Sequence, residues 1–109
     1  MLLFTSVEVN AQNSNESLQY FSVFTVKSDN QVHLKNLERT LLNNRNFEMV
    51  RVDYSRNSVF IVSSPGFVLN ETTLQTLCGD DYQYVRCPQY GVQWWNQPDF
   101  DALYNCNSN

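Results

Sequence analysis

A chain of 109 residues has room for one domain. Charged side chains make up 17% of it, below the roughly 25% usual in soluble domains, and 14 Asn, 8 Gln and 10 Ser supply the polarity instead. Seven basic against eleven acidic residues leave a formal charge of -4, a balance that a nucleic-acid backbone or an anionic bilayer repels. No apolar run approaches the roughly 18 to 20 residues of a membrane span, so a spanning role is not expected.

In chain order, residues 1–11 read as the remnant of a secretory signal. The apolar run Leu2-Leu3-Phe4-Thr5-Ser6-Val7 is followed by Val9-Asn10-Ala11, a branched residue two places before a small one. No Lys or Arg precedes the run and Glu8 interrupts it, so the alternative is a strand or arm over Leu2 to Val9. Residues 12–17 are a polar leader with no reason to fold. The signal pattern predicts an exported protein: periplasmic, outer-membrane-associated or secreted.

Tyr20 to Val26 is dense in aromatic and β-branched residues and predicts a well-buried strand. Ser28-Asp29-Asn30 supplies turn and cap chemistry, and Leu34, Leu37 and Leu41 then recur at helical spacing. That helix stops in Asn43-Asn44-Arg45-Asn46, where side-chain amides compete with the helical backbone. Phe47 to Asp53 predicts a second strand, Tyr54 to Asn57 a hairpin turn, and Ser58 to Val62 a third strand. After Ser64-Pro65-Gly66, Asn70 caps a second helix with Leu74 and Leu77 facing inward and Gly79 as its stop. Tyr82 to Arg86 predicts the fourth strand. The order strand, helix, strand, strand, helix, strand predicts an α+β fold, a ferredoxin-like βαββαβ sandwich over residues 18–88 with two helices on one face of a four-stranded antiparallel sheet. Residues 89–109 form an aromatic C-terminal extension.

Phe24-Thr25-Val26-Lys27, Asn36-Leu37-Glu38-Arg39-Thr40-Leu41, Val50-Arg51-Val52-Asp53-Tyr54, Asn57-Ser58-Val59-Phe60-Ile61 and Thr73-Leu74-Gln75-Thr76-Leu77 carry a likeness. Over roughly residues 20 to 86 the chain resembles a heavy-metal-associated domain, the small ferredoxin-like module of copper chaperones and metal-transporting ATPases. In that family Met-x-Cys-x-x-Cys before the first helix holds a soft metal ion. Counting back from Glu38-Arg39 puts those cysteines at Asn30 and His33, and the methionine at Ser28. The resemblance therefore implies the scaffold without its thiolate ligands, and an amide oxygen is a poor donor for monovalent copper. What is left of a metal site is His33 with Asp29, the alternative reading of this chain as a metal-ion carrier.

No other chemistry is well supplied. The single histidine has no nucleophile aimed at it by the sequence. Asp80-Asp81 and Asp99-x-Asp101 lack the regular oxygen ligands of a calcium loop, and three glycines cannot build a phosphate cradle. No catalytic residue and no cofactor is expected. Of Cys78, Cys87 and Cys106, the first two are nearest in sequence and are the candidate disulfide; the alternative is three buried thiols. In the first and third strands both alternating sets are apolar, whereas two helices cover one sheet face. The other face must meet solvent, a partner or the tail, in which Pro98-Asp99 predicts a short helix presenting Phe100, Leu103 and Tyr104. Two arrangements are open: the tail covers its own sheet, or Trp94, Trp95, Phe100, Leu103 and Tyr104 anchor another protein. The sequence thus points to a non-enzymatic exported binding module, an accessory subunit of a cell-envelope or secretion-related assembly.

Overall fold

The computed structural model describes residues 18–27, 31–93 and 95–106. The segments read as a signal remnant and polar leader, together with Asp29 and Trp94, lie outside these. Among the described residues the order is β1 (Tyr20–Val26), α1 (Val32–Leu42), β2 (Phe47–Asp53), β3 (Ser58–Ser63), α2 (Glu71–Cys78), a 3-10 segment (Gly79–Tyr84), β4 (Val85–Val92) and α3 (Phe100–Tyr104). The strands form one antiparallel sheet in the order β2-β3-β1-β4. The protein is α+β, with an arrangement compatible with a ferredoxin-like fold.

Burial follows from side-chain alternation. β1 is buried at every position but Tyr20, because it sits inside the sheet and carries apolar or small residues on both faces. On one face, Phe24, Val26, Val59 and Ile61 meet Leu34, Leu37 and Leu41 of α1 and Leu74 and Cys78 of α2. The three α1 leucines are wholly buried, and each such side chain contributes about 1.5–3 kcal/mol by leaving water. On the opposite face Phe21, Val23 and Val62 are buried beside Leu103 of α3.

The helix starts differ in how they are made. At α2 the Asn70 side chain accepts from the Thr73 N–H (2.9 Å), and the Thr73 hydroxyl accepts from the Asn70 N–H (2.8 Å). This reciprocal pair satisfies two orphan donors of the first turn. The Ser28-Asp29-Asn30 segment expected to cap α1 lies outside the described residues, and the residue at the cap position is Gln31, left-handed at φ 63, with no side-chain cap bond. Its amide instead donates to the Tyr54 carbonyl at 2.7 Å, tying the start of α1 to the β2–β3 turn.

The last strand departs from expectation. Gly79 (φ 58) ends α2, but the chain then tightens into 3-10 turns where Tyr82 to Tyr84 were assigned to a strand. Pairing with β1 begins only at Val85, opposite Val26, and continues to Val92, opposite Tyr20. β4 therefore runs past residue 88, where the domain is expected to end, into the extension expected from residue 89. A register shift opposite Val23 to Thr25 and a positive φ at Cys87 (53°) mark an irregularity within it.

Candidate protein-binding face

The tail lies against the sheet and is held there at several points. Cys87 of β4 is bonded to Cys106, just beyond α3. This corrects the expected Cys78–Cys87 pair: Cys78 sits free on the buried side of α2, inside the helix-side core. Proximity along the chain was a poor guide, because the irregularity in β4 and the return of the tail bring Cys87 and Cys106 to a Cα separation of 6.3 Å. Gln89 makes two bonds to one residue: its amide N–H donates to the Asp99 carbonyl and its oxygen accepts from the Asp99 N–H, both at 2.8 Å. The Asn96 side chain accepts from the Val92 N–H at 2.9 Å. Asp99 caps the short helix expected after Pro98 by accepting from the Ala102 N–H at 3.0 Å.

These ties place a series of rings across the face. Phe21, wholly buried, meets Phe60 edge-on at 6.0 Å between centroids; Phe60 meets Phe100 edge-on at 6.0 Å; Phe100 stacks near Tyr104 at 5.9 Å. The Arg56 guanidinium lies 4.2 Å from the Tyr104 ring centre. Burial is greatest at the Phe21 end, since Phe100 is 39% exposed and Tyr104 36%. Gly91 makes the inner end possible: a Cβ there would lie 2.5 Å from two atoms of the Phe21 ring.

Among the residues expected to meet a partner, Trp95, Phe100 and Tyr104 are exposed, Trp95 most at 69%. Leu103 is 1% exposed and anchors the tail to the sheet, so it is not available to a partner. Two hollows flank Phe100. One, about 240 Å³, opens between α3 and β2 with Arg51, Asp53, Phe60 and Tyr104 on its walls. The other, about 270 Å³, is walled by Phe60, Gln93, Gln97 and Pro98. The sequence reasoning missed Arg51, Arg56 and Phe60 as members of this face. Arg51 was within reach of it: pairing with Phe60 puts it on the side opposite Val50 and Val52.

Electrostatics distinguish the acids and bases here. The Asp53 carboxylate accepts from the Ser55 hydroxyl (2.6 Å) and the Ser55 N–H (3.0 Å). The Ser55 hydroxyl bond leads the causes that hold its pKa below the ordinary value. Arg51 makes no ion pair among the described residues.

The remaining chemical candidates lie elsewhere. His33 opens α1, stacked on Tyr84 with ring centres 3.6 Å apart, its Nδ1 3.4 Å from an Asp81 oxygen. That is two donors, and a stable metal site needs more; among the described residues no three of His, Cys, Asp or Glu converge. Burial, helped by the Asp81 charge, pushes the Cys78 thiol up to about 12, which keeps it protonated and a poor nucleophile at neutral pH. Tyr54 donates to Glu38, a bond that raises the Tyr54 pKa. Among the described residues no helix is long and apolar enough to cross a membrane.

Comparison with family models, with curated proteins and with solved structures gave no match.

Proposed function

We propose that this chain is an exported, non-enzymatic protein-binding module on a ferredoxin-like βαββαβ scaffold, acting as an accessory subunit of a cell-envelope or secretion-related assembly. The observation that carries the binding role is the exposure of Trp95, Phe100 and Tyr104 on a tail bonded covalently to the sheet. Aromatic rings held rigid lose little entropy on docking, and Trp, Tyr and Arg are the residue types that dominate binding energy at interfaces. The strand order β2-β3-β1-β4, with a helix between β1 and β2 and another between β3 and β4, supports the scaffold.

Export is supported by the Cys87–Cys106 bond, since such bonds persist in oxidising compartments. The non-enzymatic reading is supported by the chemistry of the reactive groups. The one histidine faces a carboxylate and a tyrosine ring, and the one free thiol is buried and protonated.

The test is crosslinking of the native protein in its own cells, comparing the wild type with a Trp95→Ala/Tyr104→Ala double variant. Both substitutions are at exposed positions, so the fold is expected to survive them. A heterologous adduct that the double variant loses supports the reading; a wild type recovered only as monomer contradicts it. Thiol counting tests export separately. Denatured protein from cells should bind one alkylating group before reduction and three after, whereas three before reduction contradicts an oxidising compartment.

A further inference from the structure

The hollow between α3 and β2 combines features that point to the chemistry of its occupant. Its floor and one wall are aromatic, from Phe60, Phe100 and Tyr104. Its rim carries Arg51, which makes no ion pair among the described residues, and Arg56 lies over Tyr104 at the same end. The carboxylate on this wall, Asp53, stays ionised, held so by the Ser55 hydroxyl and N–H and by the Arg56 charge, so Asp53 and Arg56 offset one another. In a chain of net charge -4, Arg51 is thus left as the uncompensated charge beside these rings.

We infer that this hollow receives a linear segment of a partner protein carrying an aromatic or large aliphatic side chain next to an Asp or Glu. The inference rests on the protein-binding reading above and deepens it by naming the chemistry recognised. The apolar side chain enters beside Phe100, and the carboxylate meets the Arg51 guanidinium, whose planar fork of donors matches a carboxylate better than an ammonium does. Arg56, stacked on Tyr104, offsets the Asp53 charge and so leaves Arg51 to the partner's carboxylate. Such a rim contact governs encounter rate and salt sensitivity more than it adds raw affinity, while the ring-lined interior supplies the hold.

The test uses the whole oxidised chain and a displayed library of random linear peptides, with synthetic copies of the selected peptides then measured by fluorescence anisotropy. The expected result is enrichment of Asp or Glu within a residue or two of Phe, Trp or Leu. Binding should weaken at least about tenfold for Arg51→Glu, and weaken as salt rises from about 0.05 to about 0.5 M. A peptide with the acid replaced by Lys should bind Arg51→Glu better than it binds the wild type. Arg51 is exposed, so this variant is expected to fold as the wild type does, which circular dichroism checks. Selection of peptides without acidic enrichment, selection of none, or equal binding by Arg51→Glu and wild type would overturn the inference. Those failures leave the broader reading distinguishable: an adduct in cells that needs Trp95 and Tyr104 but survives Arg51→Glu keeps the binding role and removes only this recognition chemistry.

Discussion

The two faces of the sheet are closed by different materials. On the helix side, aliphatic residues from β1 and β3 meet leucines set at helical spacing on α1 and α2, and the seal comes from packing. On the opposite side, among the described residues, a short helix of five residues, Phe100–Tyr104, does the covering, and it stays in place because a disulfide, two side-chain-to-backbone clasps and one buried leucine hold it. A five-residue helix is too short to persist alone. The helix-side face is thus a core in the ordinary sense, while the tail-side face is a partial cover whose upper surface carries the aromatic rings.

This contrast can be broken from either side. Leu37→Ala removes a wholly buried side chain from the helix face and should destabilise the whole chain by about 2–5 kcal/mol in urea unfolding, with one cooperative transition. Cys87→Ser/Cys106→Ser opens a link between residues 19 apart and should cost about 3 kcal/mol. Hydrogen exchange should sharpen the difference: amides of α3 and of the Gln93 to Asp99 stretch should lose protection in that variant while those of α1 keep theirs. Equal loss of protection in α1 would mean that the two faces form one unit. Gly91→Ala pushes a methyl into the Phe21 ring and should cost about 1–3 kcal/mol, with chemical-shift changes at Phe21 and Phe60 larger than at Leu37.

The smallest effect is a pH slope confined to the helix face. The Cys78 thiol is raised from 9.0 to about 12, so the folded form keeps a proton that the unfolded chain releases. Its contribution is therefore whole below about pH 9 and lost as the pH climbs toward 12. The urea midpoint should fall across that range, and Cys78→Ala should flatten the first part of the fall. Tyr90, also raised by burial and by its neighbours Tyr82 and Glu71, steepens it further above pH 10.

Much of the framework was legible because local signals agree with burial. Leu34, Leu37 and Leu41 announce the helix face that they bury, and Pro98-Asp99 announces the start of the short tail helix. Pairing partners were less legible. Tyr82 to Tyr84 have the composition of a strand, yet after Gly79 the chain coils tightly and the His33 ring stacks on Tyr84 at the start of α1. The disulfide was misjudged for a related reason: Cys87 and Cys106 meet only because β4 continues to Val92 and the tail doubles back, a long-range event with no local signature. On the tail, the aromatic residues Trp95, Phe100 and Tyr104, which the structure leaves exposed, stand out from residue type alone. Arg51 and Phe60 join them through strand register, and Leu103 leaves them because it points into the sheet.

Placing a photo-activatable amino acid at one position per variant, in the native cells, compares the two surfaces most directly. Position 104 sits on the tail-side face, and Leu42, 59% exposed on α1, is the control on the helix side. The account predicts a heterologous adduct from position 104 and none from position 42. An adduct from position 42 alone, or from neither, would contradict the claim that the stapled aromatic face is where this protein meets its partner.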